Sequence, residues 1–111
     1  MDKQEVAELV KVMEDEVNKG GFHQFFYNNA GDNTMEIIQA LETIGALKMA
    51  DIVKRAASMF PGGIPPKDRF VRQRILLANF PHAVAFESLN NEFFDYPDNL
   101  SSLVKRHLQQ G

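Results

Sequence analysis

Gly20-Gly21-Phe22-His23-Gln24-Phe25-Phe26-Tyr27-Asn28-Asn29 sets four aromatic residues directly behind a pair of glycines. Glycine enters the left-handed conformation at helix ends, so the pair predicts a helix stop, with a short second helix over 22–29. Upstream, Val6, Leu9, Val10, Met13 and Val17 recur at three- and four-residue steps between Asp2 and Lys19, the pattern of a helix with one buried face. Asp2 followed by Glu5 has capping-box spacing at its start.

Downstream the same period continues. Asn33 with Glu36 predicts the start of a third helix carrying Ile37, Ile38, Leu41 and Ile44. Past Gly45, the residues Leu47, Met49, Ile52, Val53, Ala56, Met59 and Phe60 predict a fourth. Pro61-Gly62-Gly63-Ile64-Pro65-Pro66 reads as a loop, because proline lacks the donor that a helix needs. A fifth helix is expected from Lys67 to about Phe80, a sixth from Ala83 to Asp95, and a last one capped by Asp98 or Asn99 and carrying Leu100, Leu103, Val104 and Leu108. No alternating strand pattern competes. The expectation is an all-α bundle of six or seven short helices, formed as one domain over 1–111.

Composition agrees with a globular chain: 44% hydrophobic, 24% charged, nine Phe and no Trp. Cysteine is absent, which removes disulfides, thiolate nucleophiles and Cys-ligated zinc. No apolar stretch has the length of a membrane span and the N-terminus begins charged, so a cytoplasmic location is expected. His23, His82 and His107 lack metal-ligand spacing, the serines sit in no nucleophile elbow, and Gly62-Gly63 lacks the lysine of a phosphate loop. Neither a catalytic set, a metal nor a cofactor is expected; an enzyme or ligand-binding domain with a pocket near His23 and Gln24 is the alternative. Phe22, Phe25, Phe26, Phe93 and Phe94 are expected in the core, with Gln24 and Asn28 bonding exposed backbone at the short helix.

Charge is unevenly distributed. Residues 1–42 carry a balance of −6, residues 43–74 carry +5, and residues 75–111 carry −2. Glu5, Glu8 and Asp15 fall on one helical stripe, with Glu16 at its margin and Val12 inside it. A second line runs through Glu87, Asn91 and Asp95 with Glu92 beside it, and no Lys or Arg lies between Arg74 and Lys105. These stripes are the candidate partner-binding residues. Nucleic-acid binding through Arg69, Arg72 and Arg74 is disfavoured by a pI near 5.5 and by four-residue spacings that pair Asp51 with Arg55 and Asp68 with Arg72.

Three ordered blocks resemble a bacterial all-helical domain-of-unknown-function family whose best-known member is a DNA mimic. They are Glu16-Val17-Asn18-Lys19-Gly20-Gly21-Phe22-His23-Gln24-Phe25-Phe26-Tyr27-Asn28, Phe60-Pro61-Gly62-Gly63-Ile64-Pro65-Pro66-Lys67-Asp68-Arg69 and Leu89-Asn90-Asn91-Glu92-Phe93-Phe94-Asp95-Tyr96-Pro97. The resemblance implies a helical cytoplasmic domain, a homodimer as one option, and acidic groups offered to a DNA-binding protein rather than direct contact with nucleic acid or membrane. A helix from Asp2 to Lys19 spans about 27 Å, a length of duplex carrying roughly sixteen phosphates. One stripe supplies four carboxylates, Glu5, Glu8, Asp15 and Glu16, against the roughly six to ten phosphates that a DNA-binding protein contacts. Two stripes joined in a dimer would reach that range.

Overall fold

The computed structural model describes residues 1–110, and their regular structure is helical. Six α-helices follow in order: α1 Lys3–Tyr27, α2 Thr34–Thr43, α3 Leu47–Ala57, α4 Arg69–Asn79, α5 Glu87–Phe94 and α6 Leu100–Gln109. Short 3-10 turns lie at Asn29–Asn33, Pro61–Gly63 and Ala83–Phe86. The last of these replaces the first turn of the expected sixth helix. α4 starts two residues later than expected because Asp68 caps it, its carboxylate accepting the Val71 N–H at 3.0 Å.

The expected stop at Gly20-Gly21 is a kink inside one long helix. Only Gly21 leaves helical geometry, at φ 74° and ψ −172°, a region that side-chain-bearing residues essentially never occupy. The helix resumes at Phe22, whose N–H has lost its intrahelical acceptor. Asn90, on α5, accepts that N–H at 2.9 Å.

α1 is the spine: α2, α4, α5 and α6 all pack on it, while α3 is held chiefly by α2 and α5. One buried cluster runs through the molecule, from Val6, Val10, Met13 and Val17 to the rings of Phe22, Phe25, Phe26, Phe60, Phe86 and Phe93. The phenyl rings meet edge-on or tilted, as at Phe26–Phe60 (4.9 Å) and Phe22–Phe93 (6.0 Å), so each adds quadrupole contacts to the roughly 1.5–3 kcal/mol of its burial. Phe94 corrects the expected core set. It is 47% exposed, because Leu89 and Phe93 already turn the inward face of α5 toward α1. No helix of the described residues is long and apolar enough to cross a membrane.

Candidate interaction surface

The glycine-aromatic segment spends its polar groups inside the molecule. Gln24 Nε2 donates to Glu16 at 2.9 Å and Asn28 Nδ2 donates to the same carboxylate at 3.4 Å, so these amides clamp a side chain rather than the exposed backbone expected of them. His23 donates from Nε2 to the Phe80 carbonyl at 2.8 Å and sets its ring against Phe86. At the end of α1 the free carbonyls are met from α4. Gln73 donates to Tyr27 O at 2.7 Å, and Arg72 donates to Phe26 O at 2.7 Å and to Asn28 O at 2.9 Å.

Arg72 is fully buried, and all five of its N–H bonds are taken: the remaining three reach Pro66 O, Lys67 O and the Asp32 carboxylate at 2.7 Å. Its partner is therefore Asp32, forty residues away, and not Asp68. Gly31 makes room for it, since a Cβ there would lie 2.8 Å from Arg72 Nε and 2.9 Å from Phe25 O. Buried in this way, Arg72 is unavailable to nucleic acid; Arg69, set over the Phe70 ring at 5.2 Å, and Arg74 remain exposed.

The polarised sequence folds so that its basic middle neutralises acids on either side. Lys67 bonds Glu36, Lys54 bonds Glu42 at 2.7 Å, and Arg72 bonds Asp32. Arg55 meets Asp51 at 2.9 Å, as the spacing predicts, and grips Glu92 with both terminal nitrogens at 2.5 and 2.9 Å. The hydrogen bonds to Lys67 and Arg55 hold the carboxyls of Glu36 and Glu92 below the usual range, and Glu92 in turn raises the Arg55 pKa. Other acids cap or bridge. Asp2 caps α1 through the Glu5 N–H, Asp98 accepts the Met49 N–H of α3 at 2.8 Å, and Glu14 accepts from the Tyr96 hydroxyl at 2.6 Å. Burial raises the Tyr96 pKa, and the backbone of this tyrosine is held at a positive φ of 49°.

Against this background the seven predicted partner-binding residues separate. Glu16 is clamped by Gln24 and Asn28, Asp15 pairs with Lys11 at 3.2 Å, and Glu92 is bridged by Arg55, so the second acidic line is neutralised at Glu92 alone. Glu5, Glu8, Glu87 and Asp95 make no ion pair or side-chain hydrogen bond among the described residues. The first line approaches the second at its Asp15 end, whose charge acts on the Tyr96 hydroxyl next to Asp95. Tyr96 sets the end of α5 beside Glu14 and Asn18, whereas Glu8 and Glu5 lie about 9 Å and 14 Å farther along the α1 axis at 1.5 Å per residue.

Three surface grooves accompany these groups. Asp95 faces Lys48 and Arg55 across a groove of about 480 Å³ between α3 and α5, and a second lies between α1 and α6. Glu5 and Glu8 edge the third, about 350 Å³ between α1 and α2, with Leu9, Val12 and Ile37 beneath. His23 and Gln24 line none of the three. Val12, which interrupts the acidic stripe and is 45% exposed, was the sequence signal for this groove; its far wall on α2 had no local signal. No group of three or more His, Cys, Asp or Glu among the described residues is arranged to hold a metal ion.

No curated protein and no solved structure matches the chain. A family model described as DMP19-like protein matches residues 2–110, a span that includes all three sequence blocks and the contacts they make. The chain belongs to the DMP19-like protein family.

Proposed function

We propose that this chain is a protein-binding module whose acidic α1 face occupies the basic surface of a DNA-binding protein, excluding DNA by charge and by bulk. The observation that carries the reading is the selective freedom of Glu5 and Glu8. Most acids elsewhere are spent on caps, clamps or ion pairs, while these two stand side by side, three residues apart, on an exposed helix face. Glu5 also lies in the first turn of α1, where the helix dipole favours negative charge, so leaving it unpaired costs the fold little.

Family membership supports the same reading through the resemblance to a group with a DNA-mimic member. Glu5 and Glu8 lead the contact in place of phosphates, with Asp15 at its edge and Glu87 and Asp95 as a separate, weaker patch. Glu5, Glu8 and Asp15 give three carboxylates per face, few beside the roughly six to ten phosphates of a typical contact, so a homodimer, whose two faces together reach the low end of that range, belongs to the proposal. The setting is cytoplasmic.

The test is capture from cell extract at low salt on the immobilised protein. The expected result is a DNA-binding protein that salt elutes and that excess duplex DNA displaces. Recovery of no such protein, or of one that DNA leaves in place, contradicts the reading.

A further inference from the structure

The groove beside Glu5 and Glu8 has a property that phosphate replacement alone does not require. Its rim is acidic but its floor is apolar: Leu9 and the exposed Val12 from α1 lie beside the two free carboxylates, and the fully buried Ile37 of α2 backs them. Its volume, about 350 Å³, is at the small end of the roughly 300–1,000 Å³ of ligand pockets, so it fits side chains rather than a whole cofactor. Long cationic side chains have the matching division, because their methylene stems lie along apolar surface while the charged head stays at the polar edge. The molecule already holds a cation against a carboxylate at one end of this groove. Glu36, on the rim, is bonded by the ammonium of Lys67, which reaches it from the loop before α4 and also donates to Asp32 O at 3.3 Å.

Resting on the acidic-face reading above, we propose that this groove receives an arginine or lysine side chain from the basic partner, with its stem on Leu9 and Val12 and its cation between Glu5 and Glu8. The partner is thus selected by the length of its cationic side chains as well as by their charge. A purely electrostatic surface would treat long and short cations alike; an apolar floor does not.

The probes are two helical alanine-arginine peptides of equal length and charge. In the second, each arginine is replaced by 2-amino-3-guanidinopropionic acid, which keeps the guanidinium and removes two methylenes. At about 0.8 kcal/mol per buried methylene, the arginine peptide should bind about tenfold more tightly in fluorescence anisotropy. Val12→Ser, a surface change that leaves the fold intact, should erase most of that difference without weakening the short-stem peptide. Equal affinity of the two peptides, or failure of both to bind, overturns the groove assignment. If they bind equally and both are released by Glu5→Lys with Glu8→Lys, the acidic-face reading survives without the groove. If the arginine peptide prefers the wild type but ignores that charge reversal, the cation is seated elsewhere and the proposal fails.

Discussion

The two halves of α1, on either side of Gly21, share one helix but spend their polar groups in opposite directions. Behind the kink, Phe22 is capped by Asn90, His23 bonds Phe80, Gln24 and Asn28 hold Glu16, and Arg72 and Gln73 close the terminal carbonyls. In front of it, Glu5 and Glu8 hold nothing. The back half is a junction where α4 and α5 attach to the spine; the front half presents charge to solvent. The segment with the most distinctive sequence is thus occupied with folding, and the plainer amphipathic stretch before it is the one with groups to spare.

The comparison breaks most visibly at Arg72. Arg72→Met keeps the bulk but leaves the Asp32 carboxylate and the carbonyls of Phe26, Pro66 and Lys67 without the guanidinium, while Asn28 O keeps only the Gly31 N–H. Urea unfolding should show a loss of about 3–5 kcal/mol, since each buried carbonyl left without a donor costs roughly 1–3 kcal/mol. A loss under 1 kcal/mol would mean that the α1–α4 junction is not built on this guanidinium. Gly21→Ala comes next. The new Cβ would lie 2.5 Å from Asn90 Nδ2 in a conformation that alanine does not adopt, and about 2–3 kcal/mol should be lost.

Asn90→Ala separates the cap from the kink. It leaves the Phe22 N–H unsatisfied and should cost about 1–2 kcal/mol, read from the same denaturation curves. Acidification has a smaller effect. The folded-state pKa values of Glu36 and Glu92 lie below their unfolded values, so the stabilisation from Lys67 and Arg55 is complete above the ordinary carboxylate range near 4.3 and disappears as pH falls through the lowered values. Both pairs are largely solvent-exposed, so the drop in urea midpoint should be shallow and should diminish further in high salt. A midpoint that rises on acidification would reverse the assigned sign.

What the sequence made legible was whatever depends on near neighbours. The apolar three-four period located the front of α1 and the helices α2, α3, α5 and α6, Asp2 caps where spacing predicts, Asn99 rather than Asp98 caps α6, and Asp51 pairs with Arg55 one turn away. Contacts joining distant segments left no such mark. Asp68 is as well spaced for Arg72 as Asp51 is for Arg55, yet Asp68 caps its helix and Arg72 turns inward to Asp32, because the end of α1 lacks any base of its own. Gln24 and Asn28 are one turn apart, but their shared partner Glu16 becomes reachable only through the kink at Gly21. For the candidate surface, the composition of the acidic stripe was readable; which of its members were already occupied was a property of the fold.

The front half is tested most directly by Glu5→Lys combined with Glu8→Lys. The account predicts unchanged helical circular dichroism and a urea stability lowered by no more than about 1 kcal/mol, the helix-dipole cost of positive charge near the start of α1, together with loss of the captured DNA-binding protein. A double variant that folds normally and still captures that protein would contradict the central claim.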